Sequence, residues 1–328
     1  MIRIDQYLLT GLEEGFLAQV KLRGDDPTTP LERLEKGRKK FKGLQKQILD
    51  YCISEFDNII KATPDKLESI IQHFHGQGWD AAMNYLIKPS STRKFKDTLF
   101  DYFGYKSFRS DLIKGVWYAD KLNIKTCPYC NSQFTLTTRE NGSAKKARFQ
   151  FDHFFAKTDY PYLSISMYNL IPACADCNLS KSSNPTNLND NYHPYYSSLA
   201  DKCEFSLDNK SVLEKLILKD VDQKLIKIKL ESISSSHTTL INNHKRAFHL
   251  DDIYENHKDF AEEILMKAIM YPETKRQELF KIKGLFKDES TFYRYLLGNY
   301  HLEGDILKRP LAKFTQDIAK QLGLIEKK

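Results

Sequence analysis

Two Cys-x-x-Cys pairs are the residues of this chain with the clearest chemistry, and they lie at Cys127/Cys130 and Cys174/Cys177. Such a turn aims two thiolates at one point about 2.3 Å from a zinc ion, and two turns complete a tetrahedral shell. The segment between the pairs is longer than the roughly 15 to 20 residues of a simple zinc ribbon. The sequence therefore predicts a structural Zn²⁺ site with these four ligands; the alternative is two unrelated pairs of buried thiols.

The segment between the cysteine pairs contains a second group of chemically capable residues. Asp152 and His153 end an alternating apolar run, so their side chains point to opposite faces of a strand. Asn178 follows the last cysteine directly, and Lys181 lies about one helical turn further. A carboxylate and an amide oxygen suit Mg²⁺ or Mn²⁺, and an imidazole can deprotonate water. Each residue alone has an ordinary explanation as a cap or a hydrogen-bonded side chain, but together they form a phosphodiester-cleaving set.

The order of these residues resembles the HNH nuclease family, whose core is a β-hairpin and a helix around one divalent ion. The resemblance covers about Thr126 to Lys181. It implies that His153 is the general base, that Asp152 is a metal ligand, and that Asn169 braces the loop carrying the base. Asn178 stands where the family usually has histidine, and the resemblance implies that it is the second Mg²⁺ or Mn²⁺ ligand. Cleavage by water would leave 5′-phosphates.

A looser resemblance, through the stretch from Asp152 to Asn178, is to the HNH nucleases of bacterial anti-phage systems of the Septu type. It implies an effector nuclease that works with an ATPase partner. The chain has no GxxxxGK[ST] loop of its own for binding nucleoside triphosphate. Double-stranded DNA is the expected substrate, with single-stranded DNA and RNA left open, and a homodimer would allow both strands to be cut. The alternative function is a zinc-stabilised binding or interaction subunit without catalysis.

Basic residues near these motifs are candidates for phosphate contacts. Lys145, Lys146 and Arg148 lie at the tip of a predicted hairpin, and Lys157 and Lys181 lie around the predicted site. The alternative for the tip group is a solvated charged turn. His193, in a loop rich in asparagine and tyrosine, is predicted to pack rather than to react.

The composition is that of an ordinary globular chain of 328 residues with a net charge of +7. This mildly basic balance permits a polyanionic partner without requiring one. No apolar run is long enough for a membrane span, and the first residues show no signal-peptide pattern, so a cytoplasmic location is expected. A reducing compartment favours metal binding or burial of the cysteines over disulfides. Cys52 and Cys203 are predicted to be buried thiols.

The predicted fold is mainly α with an inserted ββα-metal core and a short C-terminal β-hairpin, in the α+β class. Three regions follow: 1–120 helical, 121–200 the zinc-stabilised nuclease core, and 201–328 a hairpin followed by helices. Alternation predicts that 133–138 pairs with 147–153 around a turn at 140–143, and that 212–220 pairs with 224–232. A helix of one or two turns is predicted after Pro172.

Overall fold

The computed structural model of the chain describes residues 3–4, 9, 11–182, 186–210, 212, 223–282 and 284–326. The chain divides into two compact units that are discontinuous in sequence. The N-terminal unit comprises Ile4–Asn123 and Thr135–Tyr196, and the C-terminal unit comprises Met1–Arg3, Ile124–Phe134 and Ser197–Lys328. The described residues are mostly helical, with three two-stranded antiparallel sheets, which agrees with the α+β class. The division at residues 120 and 200 stays a prediction.

The N-terminal unit is built mainly from helices that carry clear start signals. Thr29 caps one of them, since its hydroxyl accepts the Glu32 N–H at 3.2 Å while the Glu32 carboxylate accepts the Thr29 N–H at 2.8 Å. The described α-helices of this unit are Leu12–Lys21 (α1), Pro30–Arg38 (α2), Gly43–Ser54 (α3), Phe56–Lys61 (α4), Pro64–Gly76 (α5), Trp79–Met83 (α6), Phe95–Phe103 (α7), Tyr105–Ser110 (α8), Trp117–Leu122 (α9) and Ala175–Lys181 (α10).

A short exposed hairpin joins Thr137–Glu140 (β1) to Ser143–Ala147 (β2). Asn141 and Gly142 have φ angles of 49° and 81°, as a two-residue type I′ turn requires. The predicted turn at 140–143 is confirmed, and Thr137 pairs with Ala147 as predicted. The rest of the predicted pairing of 133–138 with 147–153 is wrong, because the turn makes Ser143 the partner of Glu140 and residues 150–153 pair with another strand.

A second hairpin, Gln150–His153 (β3) with Leu170–Ala173 (β4), leads directly into helix α10. Its antiparallel register places His153 opposite Leu170, and all four residues of β4 are buried. The connection between the strands contains two 3₁₀ turns, Pro161–Leu163 and Met167–Asn169. The helix predicted after Pro172 is confirmed over Ala175–Lys181, and the order strand, strand, helix is that of a ββα unit.

Two buried tyrosines, Tyr118 and Tyr195, contact the strands of this ββα unit. The Tyr118 hydroxyl lies 2.8 Å from the Tyr195 hydroxyl and donates to the Met167 carbonyl at 3.1 Å. Tyr195 donates to the Leu170 carbonyl at 3.0 Å, and the Tyr118 ring stacks on Phe151 with centroids 5.5 Å apart. The hairpin is therefore held by a buried hydrogen bond at β4 and by ring stacking at β3.

The C-terminal unit contains one described sheet, Cys203–Leu207 (β5) paired with Ile228–Ser232 (β6). Strand β6 lies within the predicted strand 224–232, while the predicted partner at 212–220 lies, except for Val212, outside the described residues. The described α-helices of this unit are Thr238–Phe248 (α11), Leu250–Glu255 (α12), Lys258–Met270 (α13), Glu273–Phe280 (α14), Glu289–Leu297 (α15) and Ala312–Gln321 (α16).

The core of the C-terminal unit is centred on Phe205, Tyr254 and Phe314, whose ring centroids lie 4.2 to 5.4 Å apart. Burial of such aromatic groups removes large apolar surfaces from water, and each Å² of buried apolar surface stabilises the fold by roughly 25 cal/mol. Neither unit has, among its described residues, a helix with the length and apolar character that a bilayer crossing needs.

Candidate metal centre and active site

The thiol groups of Cys127, Cys130, Cys174 and Cys177 form a buried cluster in which all four sulfur atoms lie within 4.8 Å of one another. The Cys177 N–H lies 3.5 Å from Cys174 Sγ, and the Ser132 N–H lies 3.4 Å from Cys130 Sγ. The thiolate is the form of cysteine that binds metal. The four cysteines can therefore hold a metal ion such as zinc, as the sequence predicted.

The turn at Cys130 is held by side chains that the sequence analysis did not single out. Within the C-terminal unit, the Tyr254 hydroxyl donates to the Cys130 carbonyl at 2.8 Å, and His244 Nε2 lies 2.8 Å from the Tyr129 carbonyl. Asn131, at a φ of 55°, uses its amide to bond backbone groups of the C-terminal segment at 2.9 Å. No motif marks these residues, because their partners lie more than a hundred positions away.

His153 lies at the end of β3 and is almost fully buried. Its Nε2 is 2.9 Å from the Ser164 carbonyl, and its ring meets the Tyr105 ring edge-on with centroids 4.4 Å apart. Because a carbonyl only accepts, Nε2 carries the proton and Nδ1 keeps its lone pair. Burial, with the charge of Lys157 adding to it, lowers the pKa of His153 to about 3, so the imidazole is neutral at neutral pH.

Asp152, on the opposite face of β3, faces helix α10 and is also buried. The Lys181 ammonium lies 3.4 Å from each of its carboxylate oxygens and donates to the His153 carbonyl at 2.6 Å. Lys181 was predicted to contact phosphate, and the structure places its side chain only 4% exposed, inside this group. The sequence spacing had indicated the helical turn but not that the ammonium points inward.

Asn178 lies one helical turn before Lys181 and hydrogen-bonds the side-chain oxygen of Gln150 through its Nδ2. Gln150 and Asp152 share one face of β3, so both side chains meet the same face of α10. The carboxylate of Asp152 and the amide of Asn178 are hard oxygen donors, which fit Mg²⁺ or Mn²⁺ better than a softer metal. The Lys181 ammonium is a cation that competes for this carboxylate.

Asn169 is fully buried at the end of the connection between β3 and β4. Its Oδ1 accepts the Phe155 N–H at 2.8 Å, and its Nδ2 donates to the carbonyls of Phe155 at 3.1 Å and Leu163 at 3.0 Å. One amide therefore ties both ends of the connection that carries Ser164, the partner of His153. The bracing role that the family resemblance implied for Asn169 stays a prediction.

The other predicted phosphate contacts occupy two different environments. Lys145, Lys146 and Arg148 are exposed on or beside the β1–β2 hairpin, and Lys145 pairs with Glu140. Lys157 is partly buried beside the candidate site, with its ammonium 4.7 Å from the centroid of the Tyr105 ring. The structure therefore brings only Lys157 and Lys181 of this set close to His153.

His193 packs within the N-terminal unit, in agreement with its predicted role. It is fully buried, its ring centroid lies 4.2 Å from that of Phe154, and its Nδ1 accepts the Tyr195 N–H at 3.2 Å. Burial, followed by the charge of Lys181, lowers the pKa of His193 to about 3. This histidine is a neutral packing group at neutral pH.

Three residues of the site were missed by sequence reasoning: Tyr105, Gln150 and Ser164. Tyr105 packs on the imidazole and donates to the Phe151 carbonyl at 3.1 Å, although it lies in helix α8, far from the motif in sequence. Gln150 is the one that the alternation could have found, because it shares a strand face with Asp152. The other two positions depend on tertiary packing.

Comparison of the chain with protein-family models, with curated proteins and with solved structures finds no match in any of the three. The interpretation of the site therefore depends on its own residues and their geometry.

Proposed function

We propose that this chain is a metal-dependent endonuclease of the HNH type that hydrolyses phosphodiester bonds of DNA. The observation that carries the proposal is the hydrogen bond between His153 Nε2 and the Ser164 carbonyl. This hydrogen bond places the proton of the neutral ring on Nε2. Nδ1 can then accept a proton, as a general base requires. The hard ligand Asp152 neighbours this base in sequence, on a hairpin followed by a short helix.

In the proposed reaction, His153 Nδ1 accepts a proton from the water that attacks the phosphorus. Asp152 and Asn178 would hold Mg²⁺ or Mn²⁺, which when bound neutralises charge on the phosphate and the leaving oxygen. A pKa near 3 makes His153 a weak base in the protein alone. The negative charge of a bound phosphate raises that pKa, because a nearby anion favours imidazolium. Asn169 keeps the ring in place by fixing the loop that carries Ser164.

The biological setting that we propose is bacterial anti-phage defence, with the chain as the effector nuclease of an ATPase partner. Its support is the looser resemblance of the segment from Asp152 to Asn178. Copurification with the product of a neighbouring ATPase gene, followed by a cleavage assay with and without ATP, tests this setting. Cleavage that is indifferent to any such partner contradicts it.

A second candidate function is nucleic-acid or partner binding without catalysis. It is favoured by one observation, the buried contact of the Lys181 ammonium with the Asp152 carboxylate. A carboxylate that already faces an ammonium binds a divalent cation less strongly. In this alternative the ββα unit is a rigid binding element and His153 is a packing residue, as His193 is.

A plasmid-nicking assay with His153→Ala tests the nuclease proposal. We expect Mg²⁺-dependent nicking by the wild-type chain and a loss of about 10²- to 10⁴-fold in the variant, the usual contribution of a general base. His193→Ala is the matched control, since it also removes a buried imidazole from the same unit, and it should nick within a few-fold of wild type. Circular dichroism and zinc content should be unchanged in His153→Ala.

Two outcomes contradict the proposal in different ways. Nicking by His153→Ala at the wild-type rate removes His153 from the reaction. Binding of DNA by the wild-type chain without nicking in Mg²⁺ or Mn²⁺ favours the second candidate.

A further inference from the structure

A cleft of about 480 Å³ lies in the N-terminal unit beside the candidate site. It is formed by helix α7, the start of α8 and the loop that follows β3. We call it the basic cleft, and its lining includes Arg93, Lys96, Phe100, Asp101, Lys106 and Lys157. Four of these six side chains are cations, in a molecule whose overall charge balance is only mildly basic.

Both carboxylates that line the basic cleft, those of Asp97 and Asp101, already contact groups of the protein. Asp97, which also lines it, accepts the Lys94 N–H at 2.9 Å and so closes the first turn of α7. Asp101 pairs with Arg93 and lies 4.0 Å from the Lys106 ammonium. These two carboxylates therefore offset part of the positive charge and leave a net charge of +2 in the lining.

The remaining cations of the cleft are available to a ligand. Among the described residues, neither Lys96 nor Lys157 has a carboxylate oxygen within 4.0 Å. Phe100 adds an aromatic surface that is partly accessible. Cations next to an aromatic side chain are the combination with which proteins bind single strands of nucleic acid, through phosphates and stacked bases.

Lys157 connects the basic cleft to the candidate active site. Its ammonium lies 4.7 Å from the centroid of the Tyr105 ring, and that ring lies 4.4 Å from the imidazole of His153. Lys157 also lines the cleft, on the loop that leaves β3 directly after His153. A strand in the cleft would therefore pass next to the general base of the proposed reaction.

We propose that the basic cleft binds the sugar-phosphate backbone of a nucleic-acid strand next to the bond that His153 hydrolyses. Lys96, Lys106 and Lys157 contact successive phosphates, and Phe100 contacts a base or sugar. This inference rests on the proposed nuclease function for the meaning of the neighbouring site, but the binding itself can be measured without cleavage. It replaces the hairpin tip at Lys145 and Lys146 as the main contact surface.

The binding test uses the full chain carrying His153→Ala, so that the probe is not cut, and a fluorescein-labelled single-stranded DNA of about 20 nucleotides. Fluorescence anisotropy gives Kd across a series of salt concentrations. The cleft variant is Lys96→Ala/Lys106→Ala, and the control is Lys66→Ala/Lys121→Ala, which removes two exposed lysines outside the cleft. We expect the cleft variant to bind about 10-fold more weakly, with a log–log salt slope reduced by roughly 1.4, whereas the control stays within two-fold.

The outcomes separate the cleft from the nuclease proposal. An equal loss of affinity in both double variants, an unchanged affinity in the cleft variant, or no binding by the parent chain each overturns the cleft. With His153 intact, the cleft variant should nick with a raised KM and a kcat close to wild type. If the cleft variant nicks with wild-type KM and kcat, the nuclease proposal is kept and the cleft proposal is rejected. If binding depends on the cleft but the wild-type chain does not nick, the cleft proposal is kept and the nuclease proposal is rejected.

Discussion

The buried lysine–aspartate pairs Lys313–Asp317, in the C-terminal unit, and Lys181–Asp152, in the N-terminal unit, have the same residue types and similar burial but different geometry. In the C-terminal unit, the Lys313 ammonium lies 2.6 and 2.8 Å from the two oxygens of Asp317 and donates to the Cys203 carbonyl at 2.9 Å. Asp317 also accepts the Phe205 N–H at 2.9 Å. Both charges are closely paired, which is the condition under which a buried ion pair supports a fold.

In the N-terminal unit, the pair of Lys181 and Asp152 is looser. The ammonium lies 3.4 Å from both carboxylate oxygens, and its short contact, at 2.6 Å, is with the His153 carbonyl. Lys313 and Asp317 are four residues apart on one helix, whereas Lys181 and Asp152 lie on different elements. The looser Asp152 carboxylate would lose less on accepting a second cation, which is why the proposed metal site is at Asp152 and not at Asp317.

The largest difference between the two pairs should be in cleavage. We expect Asp152→Asn to reduce the nicking rate by on the order of 10²-fold or more, because it removes the charged ligand of the proposed metal. Asp317→Asn should leave the rate per folded molecule unchanged. Nicking rates normalised to the folded fraction, measured by circular dichroism, check this. Equal losses in the two variants would contradict a specific role of Asp152 in cleavage.

The second difference should be in stability without divalent metal. Lys313→Met leaves the Asp317 carboxylate buried without its partner, and breaking a buried pair in this way costs about 3 to 5 kcal/mol. Urea unfolding gives this free energy directly. Addition of Mg²⁺ should not restore it, since the backbone group that donates to Asp317 in the described part of the chain, the Phe205 N–H, does not bind a cation. Recovery of Lys313→Met by Mg²⁺ would show that the C-terminal pair is also a metal site.

The third difference should be a response to Mg²⁺. Lys181→Met removes the cation that competes at Asp152, so the variant should unfold at lower urea without metal and regain stability as Mg²⁺ is added. Binding to the native state alone contributes about 2.7 kcal/mol at one hundred times Kd. The midpoint of urea unfolding at increasing Mg²⁺ measures this, with Lys313→Met as the control. A midpoint that does not move with Mg²⁺ contradicts metal binding at Asp152.

The local part of the site could be predicted from the sequence. The alternation through Asp152 and His153 places them on opposite faces, and the spacing to Lys181 predicts a helical turn. Both follow from backbone periodicity, which needs no tertiary information. The four-cysteine cluster could be predicted for a similar reason, because two Cys-x-x-Cys pairs are the spacing typical of a structural zinc site.

The remaining features depend on contacts between residues that are distant in sequence. Strand β3 pairs with β4 across a long connection, and the alternating pattern of Gln150 to His153 fits several partners equally well. The contact of Tyr105 with His153 and the inward turn of the Lys181 ammonium come from packing around that hairpin. The basic cleft was missed because Lys96 and Lys106 lie in helical segments whose charges look like an ordinary solvated face.

The smallest expected effect is a pH dependence that involves the histidine beside the looser pair. His193 has a pKa of about 3 in the folded chain, against 6.5 for an ordinary histidine, first through burial and then through the charge of Lys181. Between these values the unfolded chain binds the extra proton, so the stability from the neutral imidazole is complete above pH 6.5 and is lost as pH falls toward 3. His193→Gln should lower the slope of unfolding free energy against pH, between pH 6 and 4, by up to about 1.4 kcal/mol per pH unit.

The matched control for this slope is His249→Gln, because the His249 side chain is 65% exposed. It should leave the slope unchanged, because this substitution removes no buried imidazole. His153 and His244, whose pKa values burial also lowers to about 3, keep some acid sensitivity in both variants. A slope that His193→Gln leaves at the wild-type value would show that this imidazole becomes protonated without unfolding, which its fully buried position beside Lys181 does not allow.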